Sequence, residues 1–304
     1  MSQLTVADGT SAGAALLDEH LVAALQGHRY WPTGSAHYRI VFDALERIAQ
    51  AGVTTVLDTT TIECGRDPEL LGEAGRNSGL RVLCCTGLGA QAAGVGAVFR
   101  ALPAEQLADI FVDELTDHLP GSDLCASAII LESTEQIEPF DETIALAACF
   151  AHAETAAPIL VRAPASTAVT RVDRLAGRGV DPERILVLGL DDATTTIEAL
   201  EALIHRGVLL GITSIGDEQR LSLDARCAML AFLLRTAGPS RVALGTGGAL
   251  CRVVPGQPPA KSDVPESALA RLRDRATEFG IDDDLLTAAL TSAAQALLAP
   301  LAFG

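Results

Sequence analysis

The sequence predicts a (β/α)8 TIM barrel, and three observations carry that prediction. Short apolar runs alternate with amphipathic helical patterns from about residue 14 to about residue 300, eight times in all. The runs are rich in Val, Ile and Leu, as expected of parallel strands that are buried on both faces. No nucleotide-binding glycine fingerprint follows an early strand, since Gly87 and Gly89 are followed by Ala90 and Gln91 where the motif needs its third glycine. The pattern therefore favours a closed barrel over an open, doubly wound sheet.

The predicted strands are apolar runs that are too short to be buried helices. In a parallel barrel their carboxyl ends all lie at one face, where such folds carry their active sites. In chain order the strands are Ala14–Leu17, Thr54–Leu57, Arg81–Cys85, Ala128–Leu131, Ile159–Val161, Ile185–Leu188, Val208–Ile212 and Val242–Leu244.

The predicted helices lie between the strands, and several have clear start and stop signals. Asp67 is placed to cap a helix that has Pro68 at its first position, and Glu138-Pro139 repeats the arrangement. Glycines at 52, 79 and 207 follow three of the helical patterns, as is typical of helix ends. The helices are Ala36–Ala51, Pro68–Ser78, Pro103–Leu119, Pro139–Thr155, Ala193–Arg206 and Asp224–Thr236.

The regular alternation of predicted strands and helices also predicts the domain organisation. We find no internal repeat and no interdomain linker, so residues 1–304 are predicted to form a single barrel domain. One segment, residues 251–266, has four prolines and no periodicity. It should be a Pro-rich loop after the eighth strand, over the barrel mouth.

Charge and cysteine content narrow the class of protein. The net charge is −17 and the pI is near 4.6, so a nucleic-acid partner is not expected, because an acidic surface repels phosphate backbones. The seven cysteines form no CxxC pair, which indicates reduced thiols and no disulfide framework. Neither a signal segment nor a membrane-spanning run is present, and we expect a cytoplasmic protein.

Two motifs point to a known family. The stretch from Gly52 to Thr60, with Asp58 near its end, is followed by a second stretch from Gly65 to Leu71. Together they closely resemble the phosphotriesterase family of the amidohydrolase superfamily. The resemblance extends over nearly the whole chain. It implies a barrel of the amidohydrolase type, a small-molecule substrate, a homodimer, and two divalent metals that activate water.

The first ligand positions of that family are altered here. The family's first strand ends in His-x-His, and this chain has Asp18 and His20 in those places. By alternation both should face the barrel interior, with Glu19 on the opposite face. The family's bridging lysine on the fourth strand corresponds to Ile130, or to Leu131 if the register slides by one residue.

The remaining ligand positions are altered as well. The fifth-strand histidine is replaced by Arg162, the sixth-strand histidine by Gly189 and the eighth-strand aspartate by Gly247. Of the six positions only His20 is retained, so the family's two-metal site is expected to be absent. A carboxylate, Glu132, lies two residues beyond Ile130 and faces the same way.

The candidate site residues are therefore Asp18, His20, Glu132 and Arg162. They could form a buried salt-bridge cluster that fills the space of the lost metals. Alternatively, Arg162 could anchor a carboxylate or an oxyanion, with His20 as the acid/base and its pKa raised by Asp18. A single divalent metal on Asp18, His20 and Glu132, with Asp58 or Cys85 as a distant fourth ligand, is the third possibility, although the permanent cation of Arg162 opposes it.

Other polar residues have simpler interpretations. Cys84 and Cys85 are predicted to be buried structural thiols. We interpret residues Glu63 to Asp67 as a loop that leads into the start of a helix and takes no part in the chemistry. Asp191-Asp192 is expected to begin the next helix as cap and first-turn acid.

Three functions remain open from the sequence. The first is a metal-independent enzyme that performs a cyclisation, isomerisation or lyase step on a small organic molecule, as in specialised metabolism. The second is a catalytically dead barrel that binds a metabolite or a partner protein, with a pocket plugged by Ile130, Leu131 and Leu190. The third is a mononuclear metal-dependent hydrolase of an ester, lactone or phosphoester.

Overall fold

The computed structural model describes residues 13–24, 36–254, 259–261 and 265–298. All eight predicted strands form, and several extend further than the apolar runs. They are β1 (Ala14–Ala24), β2 (Val53–Asp58), β3 (Arg81–Leu88), β4 (Ala128–Glu132), β5 (Ile159–Arg162), β6 (Ile185–Leu188), β7 (Leu209–Ile212) and β8 (Val242–Leu244).

Helices follow the strands in the alternation that the sequence predicts. They are α1 (Ala36–Gln50), α2 (Pro68–Ser78), α3 (Ala97–Arg100), α4 (Ala104–Thr116), α5 (Pro139–Thr155), α6 (Ala165–Ala176), α7 (Ile197–Arg206), α8 (Leu223–Thr236), α9 (Pro265–Ala276) and α10 (Asp283–Leu298). The predicted caps are present: Asp67 accepts the Leu70 N–H at 3.0 Å, and Glu138 forms a reciprocal capping box with Asp141. Within the described ranges, no helix combines the length and the apolar character that crossing a bilayer requires.

Each strand from β1 to β7 pairs in parallel with the next strand along the chain. The barrel closes between the end of β8 and the middle of β1. There the Gly247 N–H donates to the Asp18 carbonyl at 2.8 Å, and the His20 N–H donates to the Gly248 carbonyl at 3.1 Å. These bonds bring the residues that follow β8 against the candidate residues of β1. The architecture is the (β/α)8 barrel that the sequence predicts.

The interpretation of residues 251–266 as an irregular loop was wrong at both ends, because a strand occupies its start and α9 already begins at Pro265. Residues Ala249–Val253 form β9, which pairs in parallel with the second half of β1, with His20 opposite Ala249. A two-residue strand, β10 (Ala260–Lys261), pairs antiparallel with β9. Cys251 and Val253 are buried whereas Arg252 is exposed, so this segment has the alternation of a strand, and the prolines nearby concealed it. Residues 255–258 and 262–264 lie outside the described part.

A second interpretation was also wrong: Asp191 and Asp192 do not begin a helix. The next helix, α7, begins at Ile197 and is capped by Thr196, whose side chain accepts the Ala199 N–H. Asp191 is instead fully buried, where it accepts the N–H groups of Thr213 and Ser214 and pairs with Arg226. A buried carboxylate is retained only with such partners, and here they fix the loop after β7.

The apolar core has two layers. Leu17, Leu57, Ile130 and Leu160 belong to the layer inside the barrel, which three residues of α10 complete. Because α10 contacts β8 and the short turn that precedes it, the helix covers the amino-terminal end of the barrel. The carboxyl end remains for the polar residues of the candidate site.

Candidate active site

The candidate residues meet at the carboxyl ends of β1, β4 and β5. In the register of β4 and β5, Glu132 is the direct neighbour of Arg162. Period-two alternation gives Glu132 the same facing as Ile130, which packs inside the barrel two residues earlier. Leu131 faces the helices instead, so of the two positions that the resemblance offers for the bridging lysine only the buried, apolar Ile130 faces the barrel interior.

Arg162 joins the two carboxylates of the cluster. One terminal nitrogen of its guanidinium donates to Glu132 Oε1, and the other donates to Asp18 Oδ1. The second nitrogen also donates to Thr59 Oγ1 at 2.8 Å, and the Thr59 hydroxyl donates to Asp18 Oδ1 at 2.5 Å. The planar, permanently charged fork of arginine suits such a divided contact.

The charges of this cluster stabilise each other. Burial alone raises the pKa of Asp18, but the Arg162 guanidinium, followed by His20, lowers it to a net value below its usual range. Burial lowers the pKa of Arg162, and the two carboxylates more than reverse that effect. At neutral pH, Asp18 is therefore ionised and Arg162 is a fixed cation.

Exposure separates this cluster from the sealed ion pair of Arg226 and Asp191. The side chains of Arg162 and Glu132 are 25% and 20% exposed, whereas those of Arg226 and Asp191 are 0% exposed. A pair that is sealed in the protein can only support the fold. The Arg162–Glu132 pair remains accessible to a small molecule at the barrel mouth.

His20 is connected to a buried carboxylate. Its Nδ1 lies 3.0 Å from Thr60 Oγ1, and the Thr60 N–H donates to Asp58 Oδ1 at 2.8 Å. The Leu21 N–H donates to Asp58 Oδ2 at 2.6 Å. Within the described part of the chain, His20 Nε2 makes no hydrogen bond, so this nitrogen is available to a ligand.

The expected rise in the pKa of His20 was wrong. Burial, followed by the nearby Arg162 guanidinium, lowers the pKa of His20, and the opposing effect of Asp18 is smaller. Burial also raises the pKa of Asp58, the carboxyl group that Thr60 links to His20. His20 is therefore neutral at pH 7, which suits a proton acceptor.

Glu63 lies beside the candidate cluster, in a loop that the sequence analysis interpreted as architecture. It lies in the loop after β2, where its Oε1 accepts the Gly89 N–H and its buried Oε2 has no hydrogen-bond partner. A Cβ atom on Gly89 would collide with Glu63 Oε1 and would lie 3.2 Å from Glu132 Oε2. The two carboxyl groups therefore converge on Gly89, and burial raises the pKa of Glu63. The only sequence signal was a carboxylate in the loop that follows a strand, five residues after the strand ends.

Glu19 is a second residue that the sequence did not place at the barrel mouth. It is fully buried, and Thr246 after β8 donates both its N–H, at 2.7 Å, and its hydroxyl to the Glu19 carboxyl group. Burial raises the pKa of Glu19 to about 8. Glu19 therefore links β1 to the loop after β8, beside the candidate cluster.

Other residues near the mouth are structural. Arg66 donates to both carboxylate oxygens of Glu114 and to the Cys85 carbonyl, in agreement with the interpretation of its loop as architecture. Cys84 and Cys85 are buried and unpaired, and burial raises the pKa of both thiols. Neither is a thiolate at neutral pH.

The residues present do not fit the two-metal centre that the resemblance implies. Arg162 directs its charge at Asp18 and Glu132, the two carboxylates that could have served as ligands. A bridging ligand would have to come from the position of Ile130, which is apolar and buried. In the ranges that the structure describes, no group of three His, Cys, Asp or Glu side chains could hold a metal ion.

Comparison with known proteins agrees with the fold. The model of the phosphotriesterase family matches residues 2–247. An aryldialkylphosphatase of Saccharolobus solfataricus is 26% identical over 228 residues, which cover 70% of each chain. The phosphotriesterase homology protein of Escherichia coli is 28% identical over 222 residues, which cover 72% of this chain and 75% of that protein.

A solved structure gives the same result in three dimensions. The crystal structure of the Escherichia coli phosphotriesterase homology protein, complexed with phosphate in its active site, superposes with a TM-score of 0.81. The match covers 94% of this chain and 98% of that chain at 21% identity. At 21% identity the superposition shows the barrel fold alone. The chemistry has to be argued from the residues described above.

Proposed function

The chain belongs to the phosphotriesterase family, and from that membership we propose that it is a metal-independent enzyme acting on a small organic molecule. The reaction is an acid/base or electrostatic one, such as an isomerisation, a cyclisation or a lyase step. Reactions of this kind need a shaped pocket, a proton acceptor and a stabilised negative charge, and they need no activated water.

One observation carries the proposal. Arg162, in the place of a family metal ligand, is held by Asp18 and Glu132 and still has 25% of its side chain exposed. A guanidinium in that position replaces the positive charge of the metals with a fixed organic cation. An oxyanion that develops on a substrate in the barrel mouth would be stabilised by this cation, as it is in other sites with oriented donors.

His20 and Glu63 supply the proton chemistry in this proposal. His20, neutral at pH 7 and open at Nε2, takes a proton from the substrate, and Thr60 and Asp58 orient its ring through Nδ1. Glu63, whose pKa is raised by burial, returns a proton at another atom of the substrate. Asp18 and Glu132 position Arg162. The atoms of the substrate are conserved, so this sequence describes an isomerisation or an intramolecular cyclisation.

The experiment that tests the proposal is a turnover screen with chelator-treated protein. Small carbonyl compounds, lactones and unsaturated acids would be followed by mass spectrometry and proton NMR, with deuterium exchange reporting proton abstraction. We expect exchange or turnover that survives chelation and is lost in Arg162→Ala. The matched control is Arg206→Ala, which removes a bidentate ion pair with Asp173 on the protein surface.

Two results would reject the proposal in favour of the other functions. Turnover that appears only with added zinc or manganese would indicate a metal-dependent hydrolase. Ligand binding without turnover, unchanged in Arg162→Ala, would indicate a binding protein. A binding protein was expected to have its pocket plugged by Ile130, Leu131 and Leu190. Only Ile130 packs inside the barrel, whereas Leu131 and Leu190 face the helices.

The remaining features of the proposal rest on family membership and on composition. A small-molecule substrate, a homodimer, a single barrel domain and a cytoplasmic location stay predictions. Light scattering on the purified protein measures the oligomeric state directly. A monomer at micromolar concentration would contradict the dimer.

A further inference from the structure

A small cavity lies between the loops after β7 and β8, beside the candidate active site. Its volume is about 100 Å³, enough for about three water molecules at ~30 Å³ each. That space suits one polar group of a ligand and not a whole substrate. Its walls include Ser214, Gly216 and Arg220 after β7, Gly248 after β8, and Arg252 on β9.

The cavity brings together two arginines and one carboxylate, that of Asp217, in a strongly acidic protein. Asp217 Oδ1 already accepts the N–H groups of Gln219 and Arg220. The chain has 22 basic and 39 acidic residues, so basic side chains that converge on one small space are unusual here. Arg252 is exposed and forms no ion pair within the described ranges. Arg220 uses Nε for Asp192 at 3.2 Å and keeps 48% of its side chain exposed. Two such guanidinium groups favour an anionic ligand.

The backbone of the cavity is also suited to an anion. In the part of the chain that the structure describes, the N–H groups of Gly216 and Gly248 donate to no protein acceptor. Pro265, at the start of the 12-residue helix α9, forms another wall, so the positive end of a helix dipole lies nearby. The loops after the seventh and eighth strands, with a helix amino terminus, are where barrel folds frequently hold phosphate.

Buried carboxyl groups fix both loops in place. Asp191 accepts the N–H groups of Thr213 and Ser214, and its partner Arg226 donates to the Asp217 carbonyl at 2.8 Å. On the other side, Glu19 accepts both hydrogen bonds of Thr246. The cavity is therefore preorganised, and less ordering free energy is lost on binding.

The same loops connect the cavity to the catalytic cluster. Gly247, which also lines the cavity, donates its N–H to the Asp18 carbonyl at 2.8 Å. The side chain of the same Asp18 accepts from Arg162. A ligand whose anionic group fills the cavity can thus extend its other end toward Arg162 and His20.

We propose that Arg220, Arg252 and the loops after β7 and β8 bind the phosphate group of a phosphorylated small molecule. The claim that this molecule is the substrate deepens the proposed function and rests on it. Phosphate binding itself does not depend on the proposed function, because the cavity is lined by Arg220 and Arg252 and not by Arg162.

The test measures the binding of inorganic phosphate to the full-length protein by phosphorus-31 NMR and calorimetry, at fixed ionic strength. Loss of one charge-assisted contact is expected to weaken binding about tenfold or more. We expect that loss in Arg252→Ala and a larger one in Arg220→Ala/Arg252→Ala, with partial recovery in Arg252→Lys. Arg81→Ala is the matched control, because Arg81 is an exposed arginine at the amino-terminal end of the barrel. It should bind phosphate as the wild type does.

Three outcomes would overturn the proposal. They are phosphate binding that is unchanged in both Arg252 variants, binding that is lost in Arg162→Ala instead, and acetate binding as tightly as phosphate. Circular dichroism confirms that each variant is folded. Because no turnover is measured, these outcomes leave the proposed function standing, whereas wild-type turnover by Arg162→Ala would reject that function without affecting the phosphate site.

Discussion

Arg162 on β5 and Asp18 on β1 are joined by a hydrogen bond across the barrel mouth, although 144 positions separate them in the chain. The two strands lie on opposite sides of an eight-stranded barrel, so the arginine bridges the space in which the family places its metals. The same guanidinium reaches Glu132 on β4. The positive charge at the centre of the site is therefore carried by a side chain of the protein. This arrangement affects the stability of the protein, the pH dependence of its activity and its metal content.

Removal of Arg162 should destabilise the protein by leaving Asp18 buried and unpaired. Breaking a buried pair costs about 3–5 kcal/mol, and we expect roughly 1–3 kcal/mol because Arg162 is partly exposed. Urea unfolding of Arg162→Ala measures this loss. The low native pKa of Asp18 adds stability at neutral pH that is lost as the pH falls through that pKa, so the difference from wild type should shrink in acid.

A double variant checks that explanation. Arg162→Ala/Asp18→Asn removes both charges and should recover most of the lost free energy of unfolding. If the double variant is no more stable than Arg162→Ala, the coupling between the two residues is not the cause.

The pH dependence of turnover should report the neutral state of His20. Because burial and Arg162 lower the pKa of His20, the residue stays deprotonated down to a pH below the usual histidine range. The log of kcat/KM should therefore be flat near pH 7 and fall only in more acidic solution, and His20→Gln should abolish the activity. A wild-type profile that already falls between pH 8 and pH 7 as the solution is acidified would contradict this assignment.

Glu19 should make the protein less stable as the pH rises through neutrality. Its pKa is raised from 4.5 to about 8 in the folded state, so the folded protein holds a proton that the unfolded chain releases. The stabilising contribution is complete below pH 4.5 and is lost as the pH rises to about 8, with a slope of up to ~1.4 kcal/mol per pH unit. Urea unfolding at several pH values should show a shallower slope in Glu19→Gln. Equal slopes in both proteins would mean that Glu19 is ionised when buried.

Gly89 should be required for the position of Glu63. A methyl group at residue 89 collides with Glu63 Oε1, and the backbone conformation of Gly89 itself allows alanine. Gly89→Ala should therefore displace the Glu63 carboxyl group, the far end of a flexible side chain, and lower turnover at least tenfold.

Gly96→Ala is the control for that substitution, because a Cβ atom there meets nothing within 4 Å. It should retain activity. Full activity in Gly89→Ala would remove Glu63 from the proton chemistry.

The strands and most boundaries of the six predicted helices follow from local features, whereas α3, α6, α9 and α10 were not predicted. Apolar runs, a proline after a capping residue and a glycine after a helix are all visible in the sequence. Residues Ala249–Val253 were missed because the run is short and prolines follow it closely, and because its pairing with β1 is a long-range contact. Asp191 was misassigned for the same reason, since its partner Arg226 is 35 residues away.

The site was predictable in outline but not in its electrostatics. Alternation along β4 gave the facing of Glu132, and the barrel then brought it to Arg162. The register of β1 against β2 shifts between Leu16 and Glu19, so strict alternation did not place Glu19 correctly. For His20, the sequence revealed the acidic neighbour, whereas burial, which dominates its pKa, is a property of the folded chain.

Metal content tests the central claim most directly. The protein would be grown with added zinc and manganese, purified without chelator and analysed by mass spectrometry, with Arg162→His as a comparison that restores a ligand type. We predict far less than one metal ion per chain in the wild-type protein, because Arg162 already pairs with both Asp18 and Glu132. Near-stoichiometric metal in the wild-type protein would contradict the account and make Asp18, His20 and Glu132 the ligands of a metallohydrolase.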